Sequence, residues 1–226
     1  MGTVKFLHCA DLHLDTPFRG LAQVDKERGT ALNSATFQSF ENIVDEAIRN
    51  AVDFVVIAGD VYDSADRGLS AQFKFQSGVN RLAGHGIEVF IACGNHDPLS
   101  GWSATIEWPA TVHTFAGDHV DKRQVVRDGR VIAVLNGMSY EREAVRENLA
   151  ARFPQPDEGV PSIAVLHANV GGETGHLPYA PTTVEELSSK RFDYWALGHV
   201  HAHRVLKRLD PCIVYPGCSQ SRHPNE

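Results

Sequence analysis

The stretch Phe54-Val55-Val56-Ile57-Ala58-Gly59-Asp60 decides the fold. Its five apolar residues read as a buried strand, and the Gly-Asp that follows ends that strand on a carboxylate able to bind a metal. The same phrase recurs on either side. Val4–Cys9 leads to Asp11 and His13, and Ile87–Cys93 leads to Gly94-Asn95-His96-Asp97. Ile163–Leu166 runs into His167, and Phe192–Leu197 runs into Gly198-His199-Val200-His201. In open α/β sheets the functional crevice lies beyond the carboxyl ends of the strands. A ligand-type side chain after each of these strands therefore points to a metal centre at one end of the sheets.

Between the early strands, apolar spacing predicts helices. Phe37, Phe40, Ile43, Val44, Ala47 and Ile48 recur at intervals of three and four, which gives a helix over Ser34–Asn50 with Ser34 as its N-cap. A second helix is expected over Ala71–Gly84, closed by Gly84 and Gly86. This alternation implies a largely parallel sheet with right-handed crossovers. After Trp102 the texture changes to short strands at Val112–Phe115, Gln124–Arg127 and Val131–Leu135, the last two joined by the tight turn Asp128-Gly129. A helix is expected over Glu141–Ala151, with strands resuming at Ser162, Phe192, Val205 and Ile213. The segment Ala168–Pro181, with its glycines and prolines between two ligand-bearing strands, is expected to form a loop over the site.

At 226 residues and 42% hydrophobic, the chain can bury one sizeable core, so a single domain over residues 1–226 is expected. Its apolar runs are five or six residues long, far short of the roughly 20 needed to cross a bilayer. The start, Met1-Gly2-Thr3-Val4, runs straight into a strand, so neither a signal peptide nor a membrane span is expected. Cys9, Cys93, Cys212 and Cys218 form no CxxC pair, which fits a reducing cytoplasm. The formal charge of -7 argues against a broad basic face for gripping nucleic acid. It leaves a phosphodiesterase open, because two bound dications would outweigh two ligand carboxylates locally.

Phosphodiester hydrolysis needs a nucleophile made from water and a means of absorbing charge on phosphoryl oxygens. Two metals about 3.5–4 Å apart supply both. Mixed nitrogen and oxygen ligands suit Mn, Fe or Zn better than Ca. The pieces Asp11-x-His13, Gly59-Asp60-x-x-Asp63, Gly94-Asn95-His96-Asp97, His167 and Gly198-His199-x-His201 provide that mixture.

In order and wording these pieces resemble the calcineurin-like metallophosphoesterase family over essentially the whole chain. Within it, His8–Phe18, the loop after His167, Tyr194–His201 and Tyr215-Pro216-Gly217 are most similar to the SbcD-type DNA repair exonucleases. The resemblance implies an α/β fold, a four-layer αββα sandwich of two mixed sheets flanked by helices, with metals at one end. It implies that Asp11, His13 and His201 hold one metal, that Asp60 bridges to a second, and that Asn95, His167 and His199 complete the second site. By the same resemblance His96 stands over the scissile phosphate without binding metal, and Asp97 orients His96 by a hydrogen bond. Position 63 departs from the pattern, since some relatives carry a catalytic histidine where this chain has Asp63. Phe18, His176 and Arg222 are the candidate substrate contacts.

The implied cofactor is a pair of divalent ions, Mn first, with Fe, Zn and Mg as the other candidates. The implied activity is a DNA-directed phosphodiesterase. The alternatives are a small-molecule phosphoesterase on the same site and a non-catalytic protein-binding scaffold, the latter disfavoured by the complete ligand set. The implied partners are DNA, an SbcC-like ATPase and a second copy of the chain, with no membrane. SbcD-like proteins continue into a DNA-capping and ATPase-binding region, expected to be absent from these 226 residues. His8, His85, His113, His119 and His203 match no motif and are expected to be exposed or to cap helices, and Trp102 and Trp108 to pack.

Overall fold

A strand buried on both faces must satisfy its backbone hydrogen bonds on neighbouring strands. The structure, a computed structural model, describes residues 3–16, 26–172 and 177–221, with the side chains of the first helix described from residue 34. Its first half alternates as expected: β1 (Phe6–Cys9), α1 (Lys26–Arg49), β2 (Phe54–Ala58), α2 (Leu69–Gly84), β3 (Glu88–Ala92) and β4 (Val112–Thr114). These strands form one sheet in the order β1-β2-β3-β4. Every pair in it is parallel, so this sheet is not mixed. The reason is that the chain leaves β3 by a long crossover rather than a hairpin, and β4 returns in the same direction. Helix α1 starts at Lys26, so Ser34 lies inside it and does not cap it. Its first turns, Lys26-Glu27-Arg28-Gly29-Thr30, carry no apolar periodicity from which the start could be read.

The second half supplies β5 (Asp121–Arg127), β6 (Arg130–Met138), β7 (Ser162–His167), α3 (Val184–Ser189), β8 (Tyr194–Gly198), β9 (Arg204–Lys207) and β10 (Cys212–Tyr215). They form a mixed sheet in the order β5-β6-β7-β8-β10-β9. The inner pairs are parallel and the outer ones antiparallel. Asp128 and Gly129, at φ 52° and 72°, make the primed turn between β5 and β6. The helix expected over Glu141–Ala151 reduces to a 3-10 turn, Leu149–Arg152. Tertiary backbone bonds take the segment instead: the carbonyls of Tyr140 and Glu141 accept from Leu99 and Ser100, and that of Val145 accepts from Ala180.

The layers are helices, parallel sheet, mixed sheet, then α3 with loops and the 3-10 turn. Phe40, Val44 and Ala47 of α1 and Phe75, Val79 and Leu82 of α2 bury the outer face of the first sheet. Between the sheets, Phe54, Val56, Phe90 and Ala92 face Leu135, Ile163, Val165 and Ala196. His8 is not exposed; its ring nitrogens lie 3.0 Å from the Tyr194 hydroxyl and 3.2 Å from the Leu197 carbonyl. Burial pushes its pKa down to about 3, so it ties the sheets together as a neutral ring. His85 does cap α2, and Trp108 packs its ring 5.8 Å from that of Phe75. Trp102 stays half exposed. Among the described residues no helix is long and apolar enough to cross a membrane.

At the carboxyl end of the strands the inter-sheet residues become small. A Cβ on Gly198, the last residue of β8, would lie 1.9 Å from the Ala58 carbonyl oxygen at the end of β2. That oxygen belongs to a paired backbone and cannot step aside. Gly198→Ala is expected to destabilise the protein by about 1–3 kcal/mol, the usual cost of forcing extra volume into a packed interior. The measurement is a lowered urea midpoint at unchanged slope; an unchanged midpoint would show that the sheets can spread there.

Candidate metal centre

Loops following β1, β2 and β3 carry Asp11, His13, Asp60, Asn95 and His96, while β7 ends on His167 and β8 leads into His199 and His201. The first two loops are stitched together, with Asp11 N donating to the Gly59 carbonyl and His13 N to the Asp60 carbonyl, both at 3.0 Å. Asp11, His13, Asp60 and His199 all sit at positive φ, at 52°, 42°, 54° and 101°. Such backbone costs about 1–3 kcal/mol per non-glycine residue and persists where the surrounding structure over-determines it. Here it aims four ligand-type side chains at one point.

That point is largely dry. Asp11, His13, Asp60 and His167 are each at most 1% exposed. One Asp60 oxygen accepts from His96 N at 2.9 Å. Its other oxygen lies 3.4 Å from His167 Nε2 and 3.8 Å from His13 Nε2. His13 Nε2 and His201 Nε2 face each other at 3.3 Å. Both Asp11 oxygens lie 3.1 Å from His199 N, which joins the two sheets. Three overlapping sets, Asp11-His13-His201, His13-Asp60-His96 and Asp11-Asp60-His167, keep their ligand atoms within 4.8 Å of one another.

The proton bookkeeping shows what this donor set suits. His167 Nδ1 donates to the Ala58 carbonyl at 2.9 Å, which leaves Nε2 aimed at Asn95 Oδ1, 3.1 Å away. His199 Nε2 donates to the Leu177 carbonyl at 2.8 Å, which leaves Nδ1 aimed at the same Asn95 oxygen at 3.2 Å. A neutral imidazole in either position sets lone pair against lone pair. A proton added to either ring, or a cation between the rings and the amide oxygen, relieves that opposition. Burial works to lower the His167 pKa, yet the Asp60 and Asp11 carboxylates outweigh it and push the ring up to about 9. Burial likewise works to raise Asp60, but the imidazoles of His167, His13 and His96 hold its carboxyl below the ordinary range. A buried set of carboxylates, imidazole nitrogens and an amide oxygen that draws in positive charge fits divalent Mn, Fe or Zn.

One expected contact differs. Asp97 does not reach His96. Its carboxylate accepts from the backbone N–H of Asp60 at 3.2 Å, Val61 at 2.7 Å and Gly94 at 2.7 Å, and so braces the two loops from beneath. Burial, followed by repulsion from Asp60, pushes its pKa up to about 6 despite those three donors. His96 Nδ1 donates instead to the Asp63 main-chain carbonyl at 2.8 Å. Asp63 itself went unassigned in the sequence, yet its carboxylate lies 3.4 Å from His13 Nδ1. The Ala58 and Leu177 carbonyls were also missed, because a backbone acceptor leaves no trace in residue identity. Of the loop over the site, Leu177 and Tyr179 do reach His199, the Tyr179 ring at 6.0 Å. Phe18, His176 and Arg222 lie outside the described residues.

Comparison with known proteins bears on this geometry. Residues 4–203 match the family model described as calcineurin-like phosphoesterase. The chain is 40% identical over 223 residues to the uncharacterized metallophosphoesterase YhaO of Bacillus subtilis strain 168, covering 99% of this chain and 55% of that protein. It is 25% identical over 230 residues to the DNA double-strand break repair protein Mre11 of Thermoplasma acidophilum, covering 97% of this chain and 57% of that one. The chain thus spans little more than half the length of these relatives. A dimetal phosphatase from Danio rerio superimposes with a TM-score of 0.53 at 12% identity, covering 96% of this chain and 88% of that one. TT1561 of Thermus thermophilus gives 0.54 at 12% identity, covering 96% and 91%. At that identity the two structures share the fold alone.

The charge balance has a measurable signature in chelator-treated protein. His167 has a folded-state pKa of about 9 against an ordinary 6.5. Its contribution to stability is therefore full below pH 6.5 and is lost as pH rises through about 9. Thermal denaturation in chelator should show Tm falling across that window, and His167→Gln should flatten the fall. A wild-type Tm that is level across it would mean that His167 takes up no extra proton on folding.

Proposed function

The chain belongs to the calcineurin-like phosphoesterase family, and on that footing we propose that it is a two-metal phosphodiesterase acting on DNA, in the manner of the SbcD-type exonucleases. The observation that supports the two-metal reading is the gathering of Asp11, His13, His201 and His167 about the buried Asp60, with Asn95 Oδ1 set between His167 and His199. In this reading Asp60 would serve both ions, Asp11, His13 and His201 would help hold one, and Asn95, His167 and His199 would help hold the other. When bound, such ions supply Lewis acidity toward phosphoryl oxygens and make water acidic enough to attack. Mn is the proposed metal, with Fe, Zn and Mg as alternatives.

The protein's own groups do the rest. His96, half-buried at the mouth, commits Nδ1 to the Asp63 carbonyl and keeps Nε2 for the phosphate, where it stabilises developing charge or protonates the leaving oxygen. Asp97 holds the backbone of Asp60, Val61 and Gly94, and so keeps the shared carboxylate in register with the His96 loop. Likeness to the Mre11 DNA double-strand break repair proteins supports DNA as substrate, and the SbcC-like ATPase is proposed as partner on the resemblance to SbcD-type exonucleases alone. Reduced thiols at Cys9, Cys93, Cys212 and Cys218 fit a cytoplasmic setting. The formal charge of -7 favours a second reading, a small phosphodiester as substrate, because few counterions would be released on binding a long polyanion.

Asp60→Asn should abolish hydrolysis and weaken both metals; two tightly held ions by elemental analysis of that variant would contradict the shared role. His96→Ala should keep its metal while turnover falls by roughly 10² or more. Since His96 also lies within 4.8 Å of His13 and Asp60 ligand atoms, loss of metal from that variant would make it a ligand. A Mn-dependent panel of linear double-stranded DNA, single-stranded DNA, bis-p-nitrophenyl phosphate and a phosphomonoester decides the substrate. Slow, sequence-indifferent DNA cleavage is expected, and preference for the monoester would overturn the nuclease reading.

A further inference from the structure

Position 63 is where some relatives carry a histidine and this chain carries Asp63, and its side chain has no role in the reading above. Asp63 is half-buried, 21% exposed at its side chain, and its Oδ1 lies 3.4 Å from Nδ1 of the fully buried His13. The opposite nitrogen of that ring, Nε2, is the one that meets His201 Nε2 at 3.3 Å and Asp60 Oδ2 at 3.8 Å. We propose that Asp63 is a positioning residue, whose carboxylate keeps the proton of His13 on Nδ1 and so presents Nε2 as a lone pair to the ion held with Asp11 and His201. The inference rests on the two-metal reading and adds a residue to it.

The chemistry follows from the ring. A neutral imidazole carries one proton, and the nitrogen without it is the donor to a metal. His13 sits at φ 42°, so its backbone offers little latitude for correcting a misplaced ring. At 3.4 Å the Asp63 carboxylate is in electrostatic contact with Nδ1, longer than a hydrogen bond. It still favours the Nδ1–H form and makes Nε2 a stronger base, and the loss of about 10–100-fold in metal affinity typical of a hydrogen-bonded partner is the upper bound of its effect. The same residue touches a second ring differently. His96 Nδ1 is bonded to the Asp63 main-chain carbonyl, not to its side chain. Substitution at 63 therefore separates the two rings: it should alter His13 and spare His96.

The test reads the rings and the ions, not only turnover. Imidazole nitrogen NMR shifts of the chelated wild type should report Nδ1–H for both His13 and His96. In Asp63→Ala, His13 should lose that preference while His96 keeps it, and calorimetric titration with Mn should show one of two sites weakened by up to about 100-fold. Asp63→Asn, which keeps an oxygen acceptor at the same distance, should recover most of that loss. Wild-type tautomers and affinities in Asp63→Ala would overturn the proposal. So would disturbance of both rings together in either variant, since that marks general loosening of the loop. A wild type that binds two Mn ions yet hydrolyses no phosphodiester would defeat the substrate reading and leave this inference standing.

Discussion

The carboxylate of Asp60, 1% exposed where the ends of the two sheets meet, is the group around which the remaining structure is organised. An ionised carboxylate taken out of water is costly unless it is paired and hydrogen-bonded. Each neighbour is arranged to offset that cost. His96 N donates to one oxygen, and the His167 and His13 rings flank the other. The carboxylate in turn perturbs its surroundings, raising His167 and, from the other side, Asp97. Asp97 tolerates its own burial because three backbone N–H groups converge on it. Asp60 and Asp97 are thus neighbouring buried acids, the first steadied by imidazoles and the second by main chain.

Such crowding is possible only where side-chain volume is withheld. Ala10, Ala58 and Gly198 meet across the sheet interface, and a Cβ on Gly94 would fall 2.2 Å from an Asp60 oxygen. Further from the site the same interface is filled by Phe54, Phe90 and Phe115. The wedge that results, bulky at one end and spare at the other, brings opposing strand ends within reach of shared ligands. His8 fixes the two sheets near the same end, by its bonds to Tyr194 and Leu197.

Much of this was legible in the sequence for a plain reason. Buried strands announce themselves as apolar runs, and a charged or imidazole side chain placed directly after one has few places to go except the strand-end crevice. That logic located Asp11, His13, Asp60, Asn95, His167, His199 and His201, all of which the fold brings together. It failed where neighbours in sequence are not neighbours in space. Asp97 follows His96 in the chain but points beneath the loop, and Asp63 reaches back to His13 from another strand's loop. Helical periodicity failed where it was absent, at the polar start of α1, and where tertiary backbone bonds captured the Glu141–Ala151 segment. The all-parallel first sheet depended on the direction in which a long crossover returned, which local pattern does not encode.

The acids, imidazoles and amide of the site are also divided between the sheets. Strands β1 to β4 are contiguous in the chain and pair only among themselves, and they carry Asp11, His13, Asp60 and Asn95. His167, His199 and His201 emerge later from a ribosome, with the second sheet. The burial of Asp11 and Asp60 depends on that second sheet, whose His167 and His199 pack against them. Docking dries the carboxylates and delivers the offsetting imidazoles in the same movement. Without residues 167 onward the first sheet brings only Asp11, His13, Asp60, Asn95 and His96 to the rim, so the buried charge balance is a property of the two sheets together.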